Sequence, residues 1–127
     1  MEEMVAKTAF MEAFGDSPKI KVIDYALDNY IFDFSKSDVA EGTGVSRTTI
    51  NKFFGELVKQ KILVKTRKIG RATLHKLNAA LPFVRKLIEL DDLLTKNAFE
   101  KEFGKGKANK NIMKSRAEKM KIIEAVA

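Results

Sequence analysis

Seven consecutive residues, Ser46-Arg47-Thr48-Thr49-Ile50-Asn51-Lys52, combine side chains suited to reading the edges of base pairs. Arginine presents a planar fork that matches the O6 and N7 acceptors of guanine. Asparagine does the same for the N6 donor and N7 acceptor of adenine, and threonine offers a hydroxyl and a methyl that can rest on the thymine methyl. Arg47, Thr48, Asn51 and Lys52 are therefore expected to enter a groove, with Thr49 on the flank and Ser46 at a backbone phosphate beside a helix amino end. A second set of cations follows within a short stretch, Lys65, Arg67, Lys68 and Arg71, and these are expected to meet phosphates or the minor groove.

Such side chains work only if helices and a turn hold them. Residues 37–53 carry the spacing of two helices joined by a tight turn. Ala40 is small enough for a close helix crossing, Gly44 suits a turn conformation that a Cβ resists, and Val45, Ile50 and Phe53 fall one, six and nine residues later. At about 100° per residue, a second helix over residues 46–60 gathers Ile50, Phe53, Phe54 and Leu57 on one side. Thr48, Lys52, Gly55 and Lys59 then lie opposite. Residues 62–77 form two β-branched, alternating runs around Gly70, the pattern of a hairpin. Upstream, residues 2–14 read as a helix ending at Gly15, and Ser17-Pro18 open another that runs to about residue 29. Residues 30–34 suit a short strand against the hairpin, Ser35 and Asp38 make a capping box, and Asn78 caps a last helix.

Val39-Ala40, Gly44-Val45-Ser46, Thr49-Ile50, Leu57, Ile62-Leu63-Val64, Gly70-Arg71 and Leu77-Asn78 together resemble the winged helix-turn-helix transcription regulators, in particular the dimeric ArsR-like and MarR-like families, over residues 18–94. The resemblance implies a mainly α fold with a small β-hairpin wing (α+β), and terminal helices that pair two subunits. It further implies a homodimer on double-stranded DNA, with the helix over 46–60 in the major groove and the wing over 62–77 on the backbone or minor groove. Two departures bear on this. Those families place glycine after the second helix, where this chain has Gln60-Lys61, so the exit is built differently or tolerates strain. Their metal-sensing members need clusters of thiols or imidazoles, whereas this chain has no cysteine and a single histidine, His75, so no metal site is expected.

The formal charge of +7 is unevenly spread along the 127 residues. Residues 35–78 hold ten basic and three acidic side chains and residues 104–127 seven and two, while residues 1–34 hold three and seven. The basic excess coincides with the candidate reading core, residues 18–78, as phosphate binding requires. Residues 1–103 read as one domain and residues 104–127 as a basic tail, either an amphipathic helix, a DNA-contacting arm or a segment that orders on binding. The helix after Asn78 carries more leucine than a small core covers. Leu87, Leu90 and Leu94, together with Met4 and Met11 of the first helix, are expected at a dimer interface. No phosphate loop, nucleophile elbow or dinucleotide fingerprint occurs, so neither an enzyme nor a cofactor is expected, and an effector is not legible. With no cysteine and no apolar run near the ~20 residues of a membrane span, a cytoplasmic protein off the membrane is expected. An architectural, nucleoid or plasmid-maintenance DNA binder and a protein-assembly module are the alternatives that the same residues accommodate.

Overall fold

Six helices and one two-stranded antiparallel hairpin make an α+β chain, described here for residues 7–103 by a computed structural model. Helix α1 (Ala9–Phe14) starts at Thr8, which is extended and whose hydroxyl accepts from the Met11 amide. The single helix expected over residues 2–14 thus begins, among the described residues, only after that cap. Ser17 caps α2 (Pro18–Asp28) with proline in its first turn, as expected. This helix buries Val22, Ala26 and Leu27, which recur at helical spacing. Of the strand expected over 30–34, only Phe34 pairs, in an isolated antiparallel bridge to His75. The residues before it stay in a turn that buries Tyr30.

The capping box opens α3 (Lys36–Thr43): the Asp38 amide donates to Ser35 Oγ at 3.1 Å and the Ser35 amide to the Asp38 carboxylate at 2.9 Å. Gly44 ends the helix with φ of 78°, a left-handed conformation that a Cβ disfavours. Gly42 of α3 sits against α2. A Cβ on Gly42 would collide with the Tyr25 ring, which itself stands edge-on to Phe34 at 5.4 Å.

The continuous helix expected over 46–60 is two short helices, α4 (Arg47–Asn51) and α5 (Phe54–Lys59). Thr48, Thr49, Ile50, Asn51, Phe53, Phe54 and Gly55 are all weak helix formers, so the join is where propensity is lowest. The Lys52 and Phe53 amides reach back only three residues, to the Thr49 and Ile50 carbonyls. Phe53, at φ −131° and ψ −9°, then starts α5 by accepting from Glu56 and Leu57. The exit from α5 is closed by two bonds, Lys61 N–H to the Val58 carbonyl at 3.0 Å and Ile62 N–H to the Leu57 carbonyl at 3.0 Å. This is the bonding of a Schellman cap, and Lys61 occupies its left-handed position with φ of 66°.

Strands β1 (Leu63–Ile69) and β2 (Ala72–Leu77) pair with Ile69 opposite Ala72, leaving the two-residue loop Gly70-Arg71. Gly70 has φ of 59° and Arg71 is not positive, the sign pattern of a type II′ turn. Asn78 does not cap the last helix. Its side-chain amide donates to the Lys61 carbonyl at 3.0 Å, and α6 (Pro82–Phe103) starts later on proline. The core gathers Val22, Leu27, Val39, Ile50, Leu57, Leu63, Leu77, Val84 and Ile88, all nearly without exposure, so every element but α1 supplies one of its fully buried side chains. Helix α1 packs on α6, and Phe10 and Met11 are buried there.

Candidate nucleic-acid interface

Helix α4 is aimed by its own cap and by α3. Ser46 Oγ accepts from the Thr49 amide at 3.1 Å and donates to the Thr49 hydroxyl at 3.0 Å, so both side chains are engaged within the turn. Arg47 reaches across to α3, where its Nη1 donates to Ser37 Oγ at 2.8 Å. Thr48, Asn51 and Lys52 are exposed, while Ile50 is wholly buried beneath them. Sequence periodicity put Lys59 and Gly55 on the same open face as Lys52. The break at Phe53 places them on a separate helix, and nothing lies within 4 Å of where a Gly55 Cβ would stand.

The hairpin sorts its cations by face. Directly paired residues of an antiparallel ladder share a face, and β2 alternates, so Thr73 and His75 lie on one side and Leu74 on the other. Lys65 pairs with His75 and Lys68 with Thr73, whereas Arg67 pairs with Leu74. Two residues three apart, Lys65 and Lys68, can share a face only because the register shifts between Lys65 and Arg67, leaving Thr66 as a bulge.

On the other face Arg67 is tied down. Its Nε donates to Asp33 Oδ2 at 2.8 Å and its Nη2 to Oδ1 at 3.3 Å, and the Thr66 hydroxyl donates to the same carboxylate at 2.7 Å. The bonds from Arg67 and then Thr66 hold the Asp33 carboxyl below the usual carboxylate range. Arg67, expected among the phosphate contacts, is paired with an acid 34 residues away. Neither Asp33 nor the bulge gives a local signal in the sequence, since pairing and register are set by contacts across the fold.

Lys36, Ser37, Thr73 and His75 join the basic face. The Lys36 ammonium stands 5.1 Å from the centre of the Phe54 ring, and the His75 imidazole meets the same ring edge-on at 5.0 Å. Burial, then the Lys36 and Lys65 charges, hold His75 below its usual range. Lys36, Arg47, Arg71, Thr73 and His75 line one cleft between the amino end of α3 and the hairpin. Ser37, bonded to Arg47, lines it as well.

Of the residues expected at a dimer interface, Met4 lies outside the described residues and Met11 is buried within the chain's own packing. Leu87 and Leu94 are half-covered by the core, and Leu90 is exposed. Phe83 and Leu93, not singled out from the sequence, are more exposed still, at 52% and 63%. No helix among the described residues is long and apolar enough to cross a membrane. No family model matches the chain, and no match was found among the curated proteins or among the solved structures.

Proposed function

We propose that the chain is a winged helix-turn-helix protein that binds double-stranded DNA sequence-specifically as a homodimer and regulates transcription as a repressor. In this reading Thr48, Asn51 and Lys52 of α4 meet base edges, Arg47 and Ser46 meet the backbone at its start, and Lys65, Lys68 and Arg71 of the hairpin meet phosphates or the minor groove. The observation that carries it is the bulge at Thr66, which brings Lys65 and Lys68 to one face of the hairpin while Arg67 is neutralised on the other. A surface of solvating lysines has no need of such sorting, whereas a phosphate-tracking surface does.

Duplex binding followed by fluorescence anisotropy over a salt series tests the reading. With about six to ten phosphates neutralised by a dimer, affinity should fall about a thousandfold or more between ~50 and ~200 mM salt. Lys68→Ala should flatten that slope by about one ion per subunit, and Arg67→Ala should leave it unchanged. No binding at any salt, or equal effects of the two variants, overturns the assignment.

A second reading is favoured by the exposed Phe83, Leu90 and Leu93 on α6: the fold serves as a protein-assembly module. That reading expects no salt-dependent binding to duplex.

A further inference from the structure

The cleft between the amino end of α3 and the hairpin is a half-open groove of about 590 Å³. Charge reaches it from three elements: Lys36 on α3, Arg47 on α4 and Arg71 in the hairpin loop. The acid of the same turn, Asp38, is engaged with the Ser35 amide at 2.9 Å, and Ser35 Oγ already accepts from the Asp38 amide. Helix geometry leaves the Lys36 and Ser37 amides as the remaining donors of that first turn.

A second observation is independent of the helix end. His75 lines the cleft, is only 9% exposed, and its buried Nδ1 has no hydrogen-bond partner. A buried polar atom left in that state costs stability unless something answers it. Nδ1 itself is closed to solvent, so a ligand in the cleft reaches it only when the ring turns over, and phosphate then suits either tautomer, since its oxygens accept from an imidazole N–H and the hydroxyl of a monoprotonated phosphate donates to a bare ring nitrogen. Its tetrahedral oxygens also suit donors that converge from three directions, and the guanidinium fork matches two of them at once.

We propose that this cleft is a phosphoryl-binding site in which Lys36, Arg47 and Arg71 supply the charge, Ser37 and the first amides of α3 supply hydrogen bonds, and His75 is the buried contact. The ligand is a free phosphate monoester or a phosphodiester of a nucleic-acid backbone. The site goes beyond duplex reading, because it needs a phosphoryl group and no base.

His75 is the only histidine in the chain, so its ring protons form a single, unoverlapped NMR reporter. Inorganic phosphate is titrated into the full chain near neutral pH, at an ionic strength held constant with sodium chloride. The His75 ring signals and the Lys36 and Ser37 amides should move along one saturating curve, and the His75 pKa should rise as the anion is bound. Arg71→Ala, on an exposed loop, should weaken the phosphate affinity about tenfold or more while the amide spectrum of the core stays in place. Should that variant unsettle the hairpin, Arg47→Ala supplies the same test from α4. Signals that move no further with phosphate than with chloride overturn the proposal, as does phosphate binding that ignores both arginine variants.

Glycerol phosphate and a short duplex, titrated separately, distinguish the two sources. Displacement of phosphate by the duplex assigns the site to the backbone, and displacement by glycerol phosphate alone assigns it to a small ester. Phosphate binding without duplex binding upholds the cleft and defeats the DNA reading. Salt-dependent duplex binding with no response to phosphate does the reverse.

Discussion

Lys61 holds a left-handed backbone at the end of α5, where the Schellman bonds and the Asn78 amide on its carbonyl fix the chain direction into β1. An L-residue with a Cβ sits there at a cost of about 1–2 kcal/mol, which glycine avoids at the expense of a more disordered unfolded chain. Lys61→Gly should therefore stabilise the protein by about 0.5–1 kcal/mol. That gain raises the thermal midpoint by a few degrees for a domain of this size. An unchanged or lower midpoint would mean that the Lys61 side chain contributes more than its backbone costs. Arg67 and Asp33 show the opposite situation, a side chain whose role comes from a distant partner. Sequence spacing put Arg67 among the phosphate contacts because nothing near it indicated an acid, and the acid lies in the turn that precedes α3.

At the level of elements, what the sequence made legible was whatever a few neighbouring residues determine. Ser17-Pro18, the Ser35/Asp38 box, Gly44 and Gly70 all act where expected, because caps and tight turns are local chemistry. The break between α4 and α5 was missed because apolar periodicity runs straight through it, and Ile50, Phe54 and Leu57 are buried whether the helix is continuous or not. Low propensity was the available signal, and Gly55, which faces open space, adds to it. Gly42 lies against the Tyr25 ring, in a position that looks like an ordinary helix residue until α2 is placed beside it. The two glycines should respond oppositely to alanine. Gly42→Ala must displace the Tyr25 ring from its contact with Phe34 and should destabilise by about 1–3 kcal/mol, as overpacking does. Gly55→Ala should gain about 0.5 kcal/mol or slightly more from helix propensity. Urea denaturation of both variants measures the pair, and a loss of stability in Gly55→Ala would show that α5 needs its flexibility.

For the whole molecule, the basic face and the longest run of exposed apolar side chains fall on different elements. The basic face belongs to α3, α4 and the hairpin, while α6 repeats Phe83, Leu87, Leu90 and Leu94 at intervals of four, three and four beside its buried stripe of Val84, Ile88 and Asp91. That spacing is the seam of a helix pair. Since α1 already covers part of α6 within the chain, the proposed dimer would use the exposed part of this seam, Phe83 and Leu90, together with Leu93. The double variant Phe83→Lys, Leu90→Lys alters exposed positions only. It should convert a dimer to a folded monomer in sedimentation, with duplex affinity reduced by the loss of two linked half-sites. A wild-type chain that sediments as a monomer at tens of micromolar defeats the two-fold arrangement. The hairpin adds a consequence of a different kind. Its sorting of cations depends on parity: residues on β1 beyond the bulge face as they do because one extra residue has been counted in. Removing Thr66, that extra residue, would close the ladder with every other pair kept, Lys65 opposite His75, Arg67 opposite Leu74 and Lys68 opposite Thr73, so the cations would keep their faces. This wing can therefore lose a residue at the bulge, and the bond of the Thr66 hydroxyl to Asp33 is what such a loss gives up.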